Sequence, residues 1–131
     1  MLEGDESRQW EQHIASNNHR LATITLQLTD AAGFMTGCRE LISWCNDPRA
    51  FNAHFENHLL DALQAVYDNA SKEGFSTELG AQLVALCHQQ RKHLSKEAAL
   101  RIGRWHEHFR RQKRNAKKKQ RREEENAERL R

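Results

Sequence analysis

Proline and glycine are scarce in this chain, at one and six of 131 residues. With few β-branched residues as well, that argues against a sheet protein, which draws on all three for turns and strands. No apolar run approaches the ~18 residues that a membrane span needs, so no membrane partner is expected. The opening residues, MLEGDESRQW, are acidic and polar and read as no secretory signal. Cysteine is limited to Cys38, Cys45 and Cys87, an odd number set in apolar helical patterns without metal-ligand spacing. They are expected to be reduced core thiols in a cytoplasmic protein. Glycine-rich phosphate loops, HExxH, nucleophile elbows and CxxC pairs are all missing. Nothing sets a nucleophile beside a base, so neither an enzyme nor a cofactor is expected.

What is present is a separation of charge. Residues 101–131 hold thirteen of the 21 Lys and Arg against five Glu, a net of +8, whereas the first hundred hold eight basic and 13 acidic residues, a net of −5. The overall +3 hides this contrast. From Arg110 to Arg129 the residues are almost all Arg, Lys, Gln, Glu and Ala, the straight-chain types that lose little freedom in a helix. Ile102, Trp105 and Phe109 form one apolar stripe at i, i+3, i+7, and the next large apolar residue is Leu130. At helical spacing beside Ile102, Trp105 and Phe109 are core candidates rather than base-stacking platforms. Beyond Phe109 the segment has nothing to bury. Its lysines precede its glutamates, the weaker order, so the helix is expected to fray alone and to firm up on a partner.

The chain therefore divides into a helical body, residues 1–109, and a basic tail, residues 110–131, helical or partly disordered. In the body, Ile14, Leu21, Leu28, Met35 and Ile42 recur every seven residues, and Trp10, Asn17, Ile24, Ala31, Cys38 and Cys45 make the second row. This seam starts after a cap at Asp5 or Ser7 and predicts one long helix, kinked or closely approached near Gly33, although Asp30 offers a fresh start. Asn46-Asp47-Pro48 is a stop and restart. A second helix is expected from there to about Lys72, with Phe51, Phe55, Leu59, Ala62 and Val66 inward and Gly74 as its stop. Ser76 or Thr77 caps a third helix and Ser95 the last. Short connections make sequential helices antiparallel. The expected fold is all-α: a small antiparallel helical bundle of three to four helices, with a long first helix, no internal repeat, and a projecting basic C-terminal helix.

Three features were weighed as sites. His54, His58 and Asp61 fall at i, i+4, i+7, a spacing that can ligate a metal on a helix, but no second set of ligands accompanies them, so a solvated polar face is expected. A helix-turn-helix across Leu94-Ser95 lacks a turn glycine. KRNAKKKQRR is similar in composition to the basic region of leucine-zipper factors, but no leucine heptads follow it. There remain Arg110, Arg111, Lys113, Arg114, Lys117, Lys118, Lys119, Arg121 and Arg122, which cover every side of a helix. All-round basicity suits phosphate contacts in RNA or DNA, and without an apolar face it does not suit a membrane surface. The leading expectation is a non-enzymatic nucleic-acid-binding accessory protein, a small helical subunit of a nucleoprotein complex. The alternative is a protein–protein adaptor or regulator whose tail docks on an acidic protein surface. Either way, the helical body is expected to bind a protein partner or a second copy.

Overall fold

The computed structural model describes residues 2–130, with side chains from residue 8 onward. Among these residues there are five α-helices and no strand: α1 (Leu2–Gln27), α2 (Ala31–Cys45), α3 (Glu56–Asn69), α4 (Thr77–Gln89) and α5 (Lys96–Arg129). Short 3-10 turns at Pro48–Ala50 and Arg91–His93 precede α3 and α5. The all-α bundle expected from the sequence, with its long first helix and its basic C-terminal helix projecting from it, is the observed fold.

The helix count differs because the heptad seam is not one helix. The last turn of α1 tightens, with Thr29 N–H donating to Leu26 O and Asp30 N–H to Gln27 O, each at 3.3 Å. The chain then reverses into α2. A Cβ on Gly33 would stand 2.6 Å from Gln27 O, so only glycine lets α2 start this close to the end of α1. The reversal shifts the buried stripe. Leu21, Ile24 and Leu28 are buried in α1, then Phe34, Cys38, Leu41 and Cys45 in α2, while Met35 is exposed. Arg20 on α1 and Glu40 on α2 pair across the hairpin at 3.0 Å. At the other end, α1 begins at Leu2, ahead of the expected cap at Asp5 or Ser7.

The second helix also starts later than expected. Asp47 accepts the Arg49 N–H and its guanidinium, which lowers its carboxyl pKa, and Pro48 opens a 3-10 turn rather than an α-helix. Phe51 and Phe55 are still buried, but on the irregular loop before α3. The stop comes early too, since α3 ends at Asn69 and a turn carries the chain past Gly74. The caps of the last two helices fall where expected: Ser76 Oγ accepts from Leu79 N–H and Ser95 Oγ from Ala98 N–H.

Contacts between helix ends fix the topology. Asn69 Nδ2, on the last turn of α3, donates to Leu28 O just past α1 at 3.2 Å. Cys45 and Cys87 meet at the C-terminal ends of α2 and α4, with their Sγ atoms 3.8 Å apart. Glu56 at the start of α3 accepts from Ser95 at the start of α5. Thus α1, α3 and α5 run parallel to one another, and α2 and α4 run parallel to each other in the opposite sense. The result is two antiparallel hairpins stacked in the same orientation, followed by a fifth helix. Although the sequence shows no repeat, the architecture repeats.

One continuous core joins the two layers, with Phe34, Leu41, Leu59, Leu63, Val66, Leu83, Val84 and Ile102 fully buried. A Cβ on Gly80 would lie 2.9 Å from Ala70 Cβ and 3.1 Å from Val66, so α4 approaches α3 at glycine distance. Asn69 is the buried polar residue of this core. Its amide is satisfied by Leu28 O, Ala65 O at 2.9 Å and Lys72 Nζ at 2.8 Å, as a buried polar group requires.

Candidate interaction surfaces

The nine basic residues singled out above all lie on α5 beyond its last buried residue, Phe109. Ser95 starts this helix, and Ala98, Ile102, Trp105 and Phe109 bury one stripe of its first half. Straight-chain residues then carry the helix unbroken to Arg129. Twenty residues beyond Phe109, at about 1.5 Å each, extend the helix by roughly 30 Å. The nine are not equivalent. Glu107 gathers Arg110 at 3.8 Å, Arg111 at 3.4 Å and Arg114 at 3.0 Å. Among the described residues, Lys113, Lys117, Lys118, Lys119, Arg121 and Arg122 form no salt bridge, and all six are exposed. The free positive charge thus sits farther out than the first arginines.

Where α4 and α5 lie side by side there is a groove in two parts that share no lining residue. One part, about 1070 Å³, runs between Thr77–Ala85 of α4 and His106–Ala116 of α5, with Ala81, Ala85, Phe109 and Ala116 on its floor. A second part, about 480 Å³, lies towards the start of α5 and is bordered by Ala99, Leu100 and Gly103. His88 and His106 stack between the two parts, with ring centroids 4.3 Å apart and planes 15° from parallel. Burial, followed by the repulsion of His106, Arg91 and Arg110, pushes the His88 pKa below its usual value. Its Nδ1 is buried without a hydrogen-bond partner. Leu100 is 61% exposed, an apolar side chain with nothing over it.

The sequence did not reveal this groove. His88 and His106 belong to different helices, and no spacing rule links them. Leu100 gave one available signal, because it lies off the Ile102–Trp105–Phe109 stripe on a helix with a single core face.

The parallel layer carries two aromatic groups. Trp10 stacks on His13 at 5.5 Å and meets His54 edge-on at 6.0 Å. Near the far end of α3, Tyr67 meets Trp105, His108 and Phe109, and the Arg101 guanidinium lies 5.2 Å over Trp105. Trp105 and Phe109 are buried, as their stripe implied. The His54, His58 and Asp61 stripe does not form a helical face, because His54 precedes α3 in the turn and packs against Trp10. Among the described residues, no three His, Cys, Asp or Glu side chains are grouped as a ligand set. All three cysteines are buried and unbridged. Burial pushes the Cys38 thiol up to about 12, and the Cys45 contact together with burial holds Cys87 well above the usual thiol range.

Residues 14–112 match the Zmiz1 N-terminal tetratricopeptide repeat domain, and the chain belongs to that family. The match runs from the middle of α1 through α2, α3 and α4 and the packed half of α5. Zinc finger MIZ domain-containing protein 1 of Homo sapiens and its counterpart in Mus musculus are each 36% identical to the chain over 95 residues. That overlap covers 72% of this chain and 9% of each relative, so the chain spans a small part of their length.

Proposed function

We propose that this chain is a non-enzymatic protein–protein interaction module, an adaptor whose helical body and basic α5 together engage an acidic protein partner. The observation that carries this reading is the stacking of two helical hairpins and a fifth helix in a chain of the tetratricopeptide repeat family. Stacked hairpins form extended surfaces of side chains from successive helices, and repeat proteins use such surfaces to hold other polypeptides. The partner's sign follows from α5, whose outer half offers Lys113, Lys117, Lys118, Lys119, Arg121 and Arg122, which form no salt bridge among the described residues. Part of the same proposal is the division of labour near Phe109, with packing before it and charge after it, and a reducing cytoplasmic setting that suits three buried thiols.

A nucleic-acid reading keeps one specific support: basic residues stand on every side of α5 beyond Phe109, as in helices that lie between phosphate backbones. Family membership favours the protein partner, because nothing in the stacked hairpins is needed for phosphate binding. The two readings part in one experiment. The chain is used to capture partners with and without nuclease, and in parallel is titrated with single- and double-stranded RNA and DNA at physiological salt. Capture of protein partners that survives nuclease, with no nucleic-acid binding tighter than the micromolar non-specific range, is the expected outcome. Partners lost to nuclease, together with tight binding to a polynucleotide, would reverse the order of the two readings.

A further inference from the structure

We infer that the α4/α5 groove is the docking site for an acidic amphipathic helix of the partner, an inference that rests on the adaptor reading and names its ligand. The architecture leaves a place for a helix there. In the layer of α2 and α4 the two helices pack against each other, and among the described residues α4 has no third helix beyond it, while α5 extends past that position and leaves one side bare. A helix in that place would continue the stack that the chain has already built twice.

The lining suits a helix better than an extended strand or a polynucleotide. Its apolar lining is made of Ala81, Ala85, Ala99, Leu100 and Gly103, with Phe109, beside the polar Thr77, Gln82 and Gln112. Small residues let two helix backbones approach closely, and Leu100 supplies a ridge for a facing groove. A Cβ at Gly103 would meet nothing within 4 Å, so the space above it is open. Apolar floors bind the apolar stripe of a helix through residues at i, i+3, i+4 and i+7.

The rim sets the sign of the partner's flanks. Arg91, Lys96, Arg104, Arg110 and Lys113 border the groove against Glu78 and Glu107, and Glu107 is already shared among Arg110, Arg111 and Arg114. Glutamates on both sides of an incoming apolar stripe would meet this rim, and lysines there would be repelled. The tail continues the same positive field beyond the groove, which steers an acidic partner towards it.

The test uses the full chain and a synthetic helical peptide of about 18 residues, about 27 Å long. Leu and Ala occupy its i, i+3, i+4, i+7 stripe and Glu its flanks, and a control peptide carries Lys in place of every Glu. Saturable binding of the acidic peptide, read by calorimetry, is expected, with the control binding at least roughly tenfold more weakly. Gly103→Trp fills the open space without entering the core and should abolish binding while leaving the melting temperature unchanged or raised. Arg104→Glu combined with Lys113→Glu, both exposed and outside any salt bridge among the described residues, should weaken binding by roughly tenfold or more.

Equal binding of both peptides, or indifference to Gly103→Trp, would overturn the proposal. So would a duplex that displaces the acidic peptide from the groove, or self-association of the chain that Gly103→Trp abolishes, because the occupant would then be a polynucleotide or a second copy. If the peptide fails while nuclease-resistant capture of protein persists, the groove assignment falls and the adaptor reading stands. If capture fails as well, both fall.

Discussion

The two halves of α5 share one backbone ladder and almost nothing else. From Lys96 to Phe109 the helix is held from outside: Ser95 caps it, Glu56 of α3 grips the cap, and Ile102, Trp105 and Phe109 are buried against α3 and α4. From Arg110 to Arg129 it is held mainly from within, by the propensity of its residues, by the pairs of Glu107 with Arg110, Arg111 and Arg114 along the helix, and by surface pairs such as Gln120 with Glu124 at 3.3 Å. Ser71 with Gln112 at 3.1 Å is the tie that reaches farthest along the helix. Helicity and packing are therefore separate properties of this helix. The first half gives up side-chain freedom for stability, and the second keeps its charges exposed and available. A substitution in the first half should be read in the stability of the whole molecule, and one in the second half in what the molecule binds.

The largest expected effect tests the packed half. Ile102 is fully buried, so Ile102→Ala should lower the unfolding free energy by about 2–5 kcal/mol, the cost of lost burial plus a cavity. Urea denaturation followed by circular dichroism measures it. A loss under about 1 kcal/mol would mean that α5 does not close the core, and the contrast between its halves would collapse.

The next effect concerns how the packed half is anchored. Ser95 Oγ accepts from Ala98 N–H at 3.2 Å and donates to Glu56 Oε2 at 3.0 Å, while Ser95 N–H donates to Glu56 Oε1 at 2.7 Å. Ser95→Ala removes the cap and one of the two bonds to Glu56, for a loss of about 1 kcal/mol in the same denaturation experiment. Ser95→Asp, another capping residue, sharpens the comparison: it can restore the cap but sets a carboxylate against Glu56. It should recover less than a capping residue does elsewhere.

A smaller effect depends on pH. His88, stacked on His106 at the boundary of the packed half, has its pKa pushed below 6.5 by burial and nearby positive charge. Its neutral form is the one that the fold favours. The associated stability is therefore fully present above the unfolded histidine value and is lost as pH falls from there through the depressed folded value. His88→Gln should flatten the fall in melting temperature between about pH 7 and pH 5 relative to the unsubstituted chain. An identical slope in both proteins would mean that His88 titrates as it does in the unfolded chain.

The same contrast between local and distant determinants governs what the sequence reveals. Caps are local: Ser76 and Ser95 were legible because a helix start needs only a few consecutive residues, whereas Asp47 caps only a 3-10 turn and the expected stop at Gly74 lies past the end of α3. The Ile102–Trp105–Phe109 stripe was legible for the same reason. The break between α1 and α2 was not. Ile24 before the break and Cys38 and Cys45 after it are all buried while Met35 turns outward, so half of the seven-residue rhythm survives a chain reversal. The stacked repeat was hidden because its two hairpins share geometry without sharing residues. The groove was hidden because Ala81, Ala85, Leu100 and Gly103 are ordinary helix positions until α4 and α5 are placed side by side. The basic residues themselves were in plain view. The three of them engaged by Glu107 were not, since that pairing emerges only when the helix is continuous across Phe109.

The smallest expected effect on stability is the most informative about function. Lys117, Lys118 and Lys119 are exposed, form no salt bridge among the described residues and stand on the unpacked half of α5. Replacing all three by Ala removes three positive charges from unburied positions and installs the residue with the highest helix propensity. The unfolding free energy should therefore change by less than about 0.5 kcal/mol, and the helical signal should hold or rise. Binding is where the change should register. On an acidic protein partner, the substitution should slow association and reduce its sensitivity to salt while altering dissociation little, as expected of charges that steer more than they grip. On a polynucleotide, affinity should fall alike for every sequence, and the slope of log K against log salt should shrink by up to about three contacts, each worth near 0.9 for a duplex. Stopped-flow association at several salt concentrations, with partner and with duplex in separate runs, tells the cases apart. Unchanged association with both ligands would mean that the outer half of α5 binds neither, leaving the α4/α5 groove and the parallel layer to carry recognition. A loss of stability would be the more serious outcome, because the outer half would then pack, and the difference between the two halves would not be one of kind.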